Sequence, residues 1–106
     1  LQDSQAHAEN DARARALHEQ KVEAESLLEV THSALVGDGD ALLGAEERTA
    51  IDAAMDALRR TLNDPDVDRI RLAVDVLNRL TVPFAARRMD GAVRNALSGQ
   101  KLADLA

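Results

Sequence analysis

The chain has 106 residues, 45% of them hydrophobic, with 20 alanines, one aromatic residue (Phe84) and no cysteine. This composition suits one small domain with an aliphatic core of closely packed helices, and the lack of cysteine excludes disulfides, thiolate catalysis and cysteine-bound metals. The formal net charge of −6 argues against nucleic acid as a partner, because binding to nucleic acid requires a basic face.

The first 36 residues contain neither glycine nor proline, which predicts one long N-terminal helix. At 1.5 Å per residue this helix is about 54 Å long, whereas a compact domain of this size is roughly 30–35 Å across. We therefore expect residues 1–16 to overhang the rest of the chain, with a kink or a fresh helix start near Asn10 and Asp11. The apolar stripe that should join a core lies further on, at Leu17, Ala24, Leu27, Leu28, Thr31 and Leu35.

A glycine-containing turn at residues 37–40 is predicted to end this helix. A second helix should begin near Gly44 and run to about Leu62, with acidic residues in its first turn and arginines in its last, as the helix dipole favours. The apolar residues expected to face the core here are Leu42, Leu43, Ile51, Ala54, Met55, Leu58 and Leu62.

Two further helices are predicted after a break at Asn63–Asp66. Asp64 and Pro65 should be the N-cap and first residue of the third helix. A bend before Pro83 should separate it from a fourth helix, which ends at Ser98-Gly99 and leaves 99–106 as a loose tail. The expected core residues are Val67, Ile70, Val74, Leu77, Leu80, Phe84, Met89, Val93 and Leu97. The predicted fold is all-α: one long helix and three shorter helices, with the bundle spanning 17–98.

The sequence contains no pattern typical of an enzyme or a metal centre. His7, His18 and His32 lack metal-ligand spacing, the acidic turn from Asp38 does not fit a calcium loop, and no phosphate-binding loop is present. We therefore expect no catalytic residues, metal or cofactor in this chain. It also lacks an apolar run long enough to span a membrane and a signal-peptide pattern, which favours the cytoplasm. The start at Leu1 rather than at Met suggests an excised fragment.

The basic residues are concentrated in the last third, where residues 67–106 carry seven basic and four acidic side chains. Solvated charges that balance the acidic helices are the favoured interpretation. Two alternatives stay open. In the first alternative, the chain is a free-standing interaction module whose basic fourth helix docks an acidic partner. In the second, it is a small regulator that binds phosphate or nucleic acid through Arg87, Arg88 and Arg94.

Five short strings occur in a characteristic order and spacing: Ala8–Asp11, Glu19–Ala24, Leu27-Leu28, Glu46–Arg48 and Phe84–Asp90. They resemble the C-terminal helical lid of DnaK-type chaperones, the seventy-kilodalton heat-shock family, and within it the HscA branch. The resemblance covers essentially residues 1–98, and Phe84–Asp90 is its most specific string.

The resemblance implies a function for the overhanging helix. In these chaperones the alanine-rich start of the lid rests on a β-sandwich, the substrate-binding subdomain that grips an extended client peptide. ATP binding in an upstream domain opens the lid and hydrolysis closes it, so the lid slows release of the client. The resemblance also implies partners for the parent protein: the iron–sulfur cluster scaffold IscU and the co-chaperone HscB. ATP would bind the parent protein outside this chain.

The resemblance further implies a set of contacts between lid and sandwich. In DnaK-type lids an acidic residue, a histidine and an arginine form a latch with loops of the sandwich, and the matching positions here are Glu25, Glu29 and His32. Of the three latch residues, only the acidic one has the same type here as in DnaK-type lids. The arginine position holds a histidine, a side chain that is only partly charged near neutral pH. We expect this lid to close more weakly than that of DnaK. Without a sandwich, the first 16 residues should fray or self-associate, including by exchange of the first helix.

Overall fold

The computed structural model describes the backbone of residues 2–105 and the side chains of residues 7–98. Its elements are α1 (Gln2–Ala34), a π-helical turn (Leu35–Gly39), α2 (Asp40–Leu42), α3 (Ala45–Thr61) and α4 (Val67–Leu105). Residues 2–105 contain no β-strand, so the predicted all-α class is confirmed. The α1 helix, the π-helical turn and α2 follow one another without a break and together form the long first helix.

Two expected features of the long helix are not observed. The α-helix runs through Asn10 and Asp11 without interruption, because asparagine and aspartate inside a helix cost only a few tenths of a kcal/mol more than most residues. The glycine-containing turn does not end the helix either, and its glycines keep negative φ angles. The helical backbone continues to Leu42 and stops there because Leu43 is extended, with φ −116° and ψ 137°.

The π-helical turn places Gly39 in the interior, against a side chain of α3. A Cβ atom added at Gly39 would lie 2.6 Å from Nη1 of Arg48, so the guanidinium of Arg48 occupies the space that a side chain at residue 39 would need. Arg48 in turn forms ion pairs with Asp40 at 3.9 Å and with Asp52 at 3.4 Å. The second glycine of the segment therefore makes room for the Arg48 guanidinium and does not end the helix.

The α3 helix matches its prediction. Its first residue, Ala45, follows Gly44, whose backbone N–H donates to Oε1 of Glu47 at 3.3 Å. This contact satisfies one of the N–H groups that a helix start leaves without a partner. The predicted apolar stripe faces the core: Ile51, Ala54, Met55 and Leu58 are buried, and Leu62 is half-buried.

The start of α4 differs from the prediction by two residues. Asp66, and not Asp64, caps the helix, because its Oδ1 accepts the N–H of Asp68 at 2.9 Å. Asp64 organises the preceding turn by accepting the N–H of Asp66 at 2.9 Å and pairing with Arg69 at 3.3 Å. Pro65 consequently lies in the loop.

The predicted third and fourth helices are one continuous helix, α4, with Pro83 inside it. A proline removes one backbone donor and strains the preceding turn. The hydroxyl of Thr81 donates to the carbonyl oxygens of Leu77 and Asn78, both at 3.0 Å, within that turn. The helix also passes Ser98 and Gly99 and reaches Leu105, so the expected helix end there is wrong. The division of the chain into residues 1–16, 17–98 and 99–106 stays a prediction.

The core lies where α1, α3 and α4 meet. Its fully buried large side chains are Ile51, Leu58, Ile70 and Leu77. Around them lie Ala24, Leu28, Thr31, Ala34, Leu35, Ala54, Met55, Val74 and Phe84, with Leu17, Leu27, Leu42, Leu43 and Leu62 packed at the edges. The stripe predicted for the first helix is therefore confirmed.

Four residues of α4 predicted to face the core are exposed. Met89, Val93 and Leu97 are 70%, 53% and 55% exposed, and Leu80 is 38% exposed. For Met89, Val93 and Leu97 the reason is that α4 continues past the end of the bundle, where the side chains of residues 92–98 are all exposed. Leu80 lies within the bundle, between the buried Leu77 and Phe84, and is exposed only in part. The molecule is accordingly elongated, with principal extents of 74 × 32 × 17 Å. Among the described residues, no helix is both long and apolar enough to span a lipid bilayer.

Candidate functional site

The first part of α1, residues 7–15, is helical but uncovered, and we call it the proximal arm. Every one of its side chains is exposed, including those of Ala8, Ala12 and Ala14. The helix first meets the bundle at Ala16 and Leu17, which are half-buried. The arm is therefore a helix that gains no burial from the described part of the chain.

The position of α4 explains why the arm is uncovered. The α4 helix begins at Val67 and runs alongside α1, and the hydrogen bond from Arg71 Nε to Gln20 Oε1, 3.3 Å long, lies close to the start of that contact. The first residue of α1 that is fully buried is Ala24. The bundle thus covers only the second half of α1, the half that carries leucines.

The three candidate latch residues lie on the covered half of α1 and face solvent. Glu25, Glu29 and His32 are all exposed, and their spacing of four and three residues places them on one face of the helix. Each immediately follows a buried residue, so this face borders the core-facing side. No hydrogen bond or ion pair within the described side chains involves any of the three, and the structure therefore brings them together without assigning them a role.

Two arginines of α4 bind the segment between the π-helical turn and the start of α3. Nη1 of Arg87 donates to both carboxylate oxygens of Glu47 and to the carbonyl oxygen of Leu42, each at 2.9 Å. Nε of Arg88 donates to Oδ2 of Asp38 at 2.8 Å. These contacts support the interpretation that the basic last third balances acidic helices. They weigh against a phosphate site, because two of its three proposed arginines already face carboxylates.

Arg87 also changes the acidity of its partner. Its guanidinium donates to the Glu47 carboxylate, and with the N–H of Gly44 it lowers the pKa of Glu47 below the ordinary value of 4.5. A carboxyl group with a lowered pKa stabilises the fold above its ordinary pKa, and this contribution is lost as the pH falls through the lowered value.

Replacing Arg87 by methionine should therefore destabilise the fold more near neutral pH than in acid. The difference in unfolding midpoint between wild type and Arg87→Met should narrow as the pH falls below 4.5, because protonated Glu47 no longer benefits from the arginine. Urea unfolding at about pH 7 and about pH 3 measures this difference. Arg94→Met is the matched control and should give a small difference at both values. An Arg87→Met effect of equal size at both values would contradict the contribution of Glu47.

The histidines and carboxylates do not converge into a metal site in the described part of the chain. There, no group of three or more His, Asp or Glu side chains lies close enough to hold a metal ion. His7, His18 and His32 are each exposed on α1.

Comparisons with known proteins agree with the resemblance seen in the sequence. The family model described as "Hsp70 protein" matches residues 1–90. A "Chaperone protein HscA homolog" of Azotobacter vinelandii is 50% identical over 105 residues, covering 99% of this chain and 17% of the relative. Those of Methylobacillus flagellatus and Azoarcus sp. are 52% and 50% identical over 102 residues, each covering 96% of this chain and 16% of the relative.

The chain thus spans only 16–17% of the length of these curated relatives. The match to the Hsp70 family covers most of the chain, including the proximal arm, the bundle and the Arg87 and Arg88 contacts. The chain therefore belongs to the Hsp70 family, and the relatives reported for it within that family are HscA homologues.

Proposed function

We propose that this chain is the helical lid of the substrate-binding domain of an HscA-type chaperone, and that it slows release of bound client peptide. The observation that carries the proposal is the proximal arm, a helix whose side chains are all exposed. An isolated helix of this length is marginal in water and normally depends on packing. A β-sandwich beneath the arm would supply that packing.

The composition of the arm suits close contact with a flat surface. Its apolar residues are alanines, which let a backbone approach a neighbouring sheet closely, and no leucine occurs between residues 2 and 16. The bundle, with its own core, would act as the rigid body that the arm carries. Closing the arm onto the sandwich would cover the peptide, and its release would then require the lid to open.

We propose Glu25, Glu29 and His32 as the contacts between lid and sandwich. Their exposure and their place on one face of α1 leave the two carboxylates available to accept hydrogen bonds from loops of another subdomain. Exposed ion pairs contribute about 0–1 kcal/mol each, so these contacts would tune closure while the arm supplies most of the binding.

The wider activity follows from the family and concerns parts of the protein outside this chain. We propose that the parent chaperone binds and hydrolyses ATP in a separate domain, acts in the cytoplasm, and serves iron–sulfur cluster assembly with the scaffold IscU and the co-chaperone HscB. In this proposal the ATP chemistry belongs to that separate domain and not to the lid.

The rival hypothesis of a free-standing module with a basic docking helix has less support. The basic segment in question contains Arg87 and Arg88, which form ion pairs of 2.9 and 2.8 Å within the chain. Docking an acidic partner there would mean breaking contacts that hold α4 against the α2–α3 corner.

The test compares peptide release from the cognate β-sandwich with and without residues 1–106. We expect the lid to lower the off-rate of a fluorescent client peptide severalfold, because the peptide then leaves only when the arm lifts. The double variant Glu25→Gln/Glu29→Gln should release peptide faster than wild type but slower than the lidless sandwich. Asp52→Asn/Asp56→Asn, at the same spacing on the exposed face of α3, is the control for the loss of two carboxylates; because these residues pair with Arg48 and Arg59, circular dichroism first checks that the variant is folded. Equal off-rates with and without the chain would refute the lid function.

A further inference from the structure

The distal part of α4 forms a second uncovered helix, at the opposite end of the molecule from the proximal arm. We call it the distal arm and define it as residues 89–98. All its residues are exposed except Gly91, which is half-buried. Lid closure as proposed above makes no use of this arm, so its surface needs a separate explanation.

One face of the distal arm is apolar. Met89, Val93 and Leu97 are 53–70% exposed, and their spacing of four residues aligns them along the helix. Ala92 and Ala96 flank this line, and Val82, 63% exposed, extends it toward the bundle. An apolar face of this kind is typical of a helix that packs against another helix.

The base of the distal arm is held rigidly. Phe84 is 2% exposed, and the guanidinium of Arg88 lies 5.9 Å from its ring centroid. Arg87 and Arg88 are fixed by their contacts with Glu47 and Asp38. The apolar face is therefore presented by an anchored helix, which lowers the entropy lost when it binds a partner.

The charges beside the apolar face indicate which partner fits. Asp90 and Arg94 lie one turn apart on the same edge of that face. Neither has an oppositely charged group within ion-pair distance among the described side chains. When two identical helices pack antiparallel, each edge of one faces the same edge of the other. Asp90 of each copy then lies near Arg94 of the other. In parallel packing, the edge with Asp90 and Arg94 would instead face the other edge of the partner helix, and these charges would not pair.

We propose that the distal arm binds a second copy of this chain, helix against helix and antiparallel. Val93 lies near the twofold axis, Met89 faces the Ala96–Leu97 region of the other copy, and two reciprocal Asp90–Arg94 pairs flank the contact. The contact is smaller than a standard interface, which uses about 20–30 residues a side. Self-association is therefore weak and depends on concentration.

Analytical ultracentrifugation of the 106-residue chain tests the proposal between about 10 µM and about 1 mM, a range suited to a small interface. We expect a reversible monomer–dimer equilibrium that Val93→Asp weakens at least tenfold. Val36→Asp is the matched control, since Val36 is 74% exposed at the π-helical turn, and it should leave the equilibrium unchanged. A chain that stays monomeric at the highest concentration, or a dimer that survives Val93→Asp, would overturn the proposal.

Charge exchange tests the antiparallel geometry. Asp90→Arg alone and Arg94→Asp alone should each weaken self-association, because each places like charges opposite one another across the twofold axis. A mixture of the two variants should associate, since one copy then carries two arginines and the other two aspartates. The double variant Asp90→Arg/Arg94→Asp should dimerise as the wild type does. If the mixture does not associate while the wild type does, the proposed pairing is wrong.

Discussion

Leu77→Ala should lower the free energy of unfolding by about 3 kcal/mol, the largest stability effect we expect from a single substitution here. Leu77 is fully buried among α1, α3 and α4, so truncation removes apolar contacts and leaves a cavity; such changes cost about 2–5 kcal/mol. A domain of this size has a total stability of about 5–10 kcal/mol. The variant should therefore unfold at much lower urea concentration, as followed by circular dichroism.

Leu72→Ala is the matched control for this prediction. Leu72 lies on the same helix and carries the same side chain, but it is 66% exposed. The same truncation at Leu72 should change the free energy of unfolding by only about 0.5 kcal/mol, since it opens no cavity. Equal losses at Leu72 and Leu77 would mean that the core is not where α1, α3 and α4 meet.

The second large effect concerns peptide release. In the chain joined to its β-sandwich, Ala8→Glu/Ala12→Glu should raise the off-rate of bound peptide severalfold, close to that of the lidless sandwich. Both alanines are exposed on the proximal arm, where a bulky charge would prevent close approach to another surface. In the isolated chain the same double variant should change stability by only about 0.5 kcal/mol, because neither residue is packed.

The control for this variant is Ala53→Glu/Ala57→Glu. It makes the same change at the same spacing on α3, where both residues are exposed and far along the chain from the arm. Its off-rate should equal that of the wild type. Faster peptide release from both double variants would show that the effect arises from added charge and not from a lost contact between the proximal arm and the sandwich.

The sequence predicted the elements whose pattern is local and strong. In α3 the spacing of Ile51, Ala54, Met55 and Leu58 fits only one helical face, and those residues are buried as expected. The same holds for the leucine-bearing half of α1. The uncovered arm also followed from a local property, the absence of glycine and proline in a run longer than the domain is wide.

The features that sequence reasoning missed depend on contacts between distant residues. Gly39 has the local signature of a helix stop, but the helix continues through it and the Arg48 guanidinium of the next helix lies against it. Pro83 reads as a helix break, yet α4 continues, and the residues just after it are anchored by Arg87 and Arg88. Their partners Glu47 and Asp38 lie 40 and 50 residues away in the chain, and no local pattern pairs them. The apolar stripe of the distal arm predicts a buried face but is exposed, because periodicity shows that a face is apolar but not what covers it.

Hydrogen exchange of the proximal arm tests the central claim most directly, namely that this helix is built to lie on a surface outside the chain. In the isolated chain, amides of residues 7–15 should exchange far faster than those of α3, because no described residue packs on the arm. Joining the chain to its β-sandwich should slow their exchange by about tenfold or more, with little change in α3. Equal protection of the arm in the isolated and joined proteins would contradict the account.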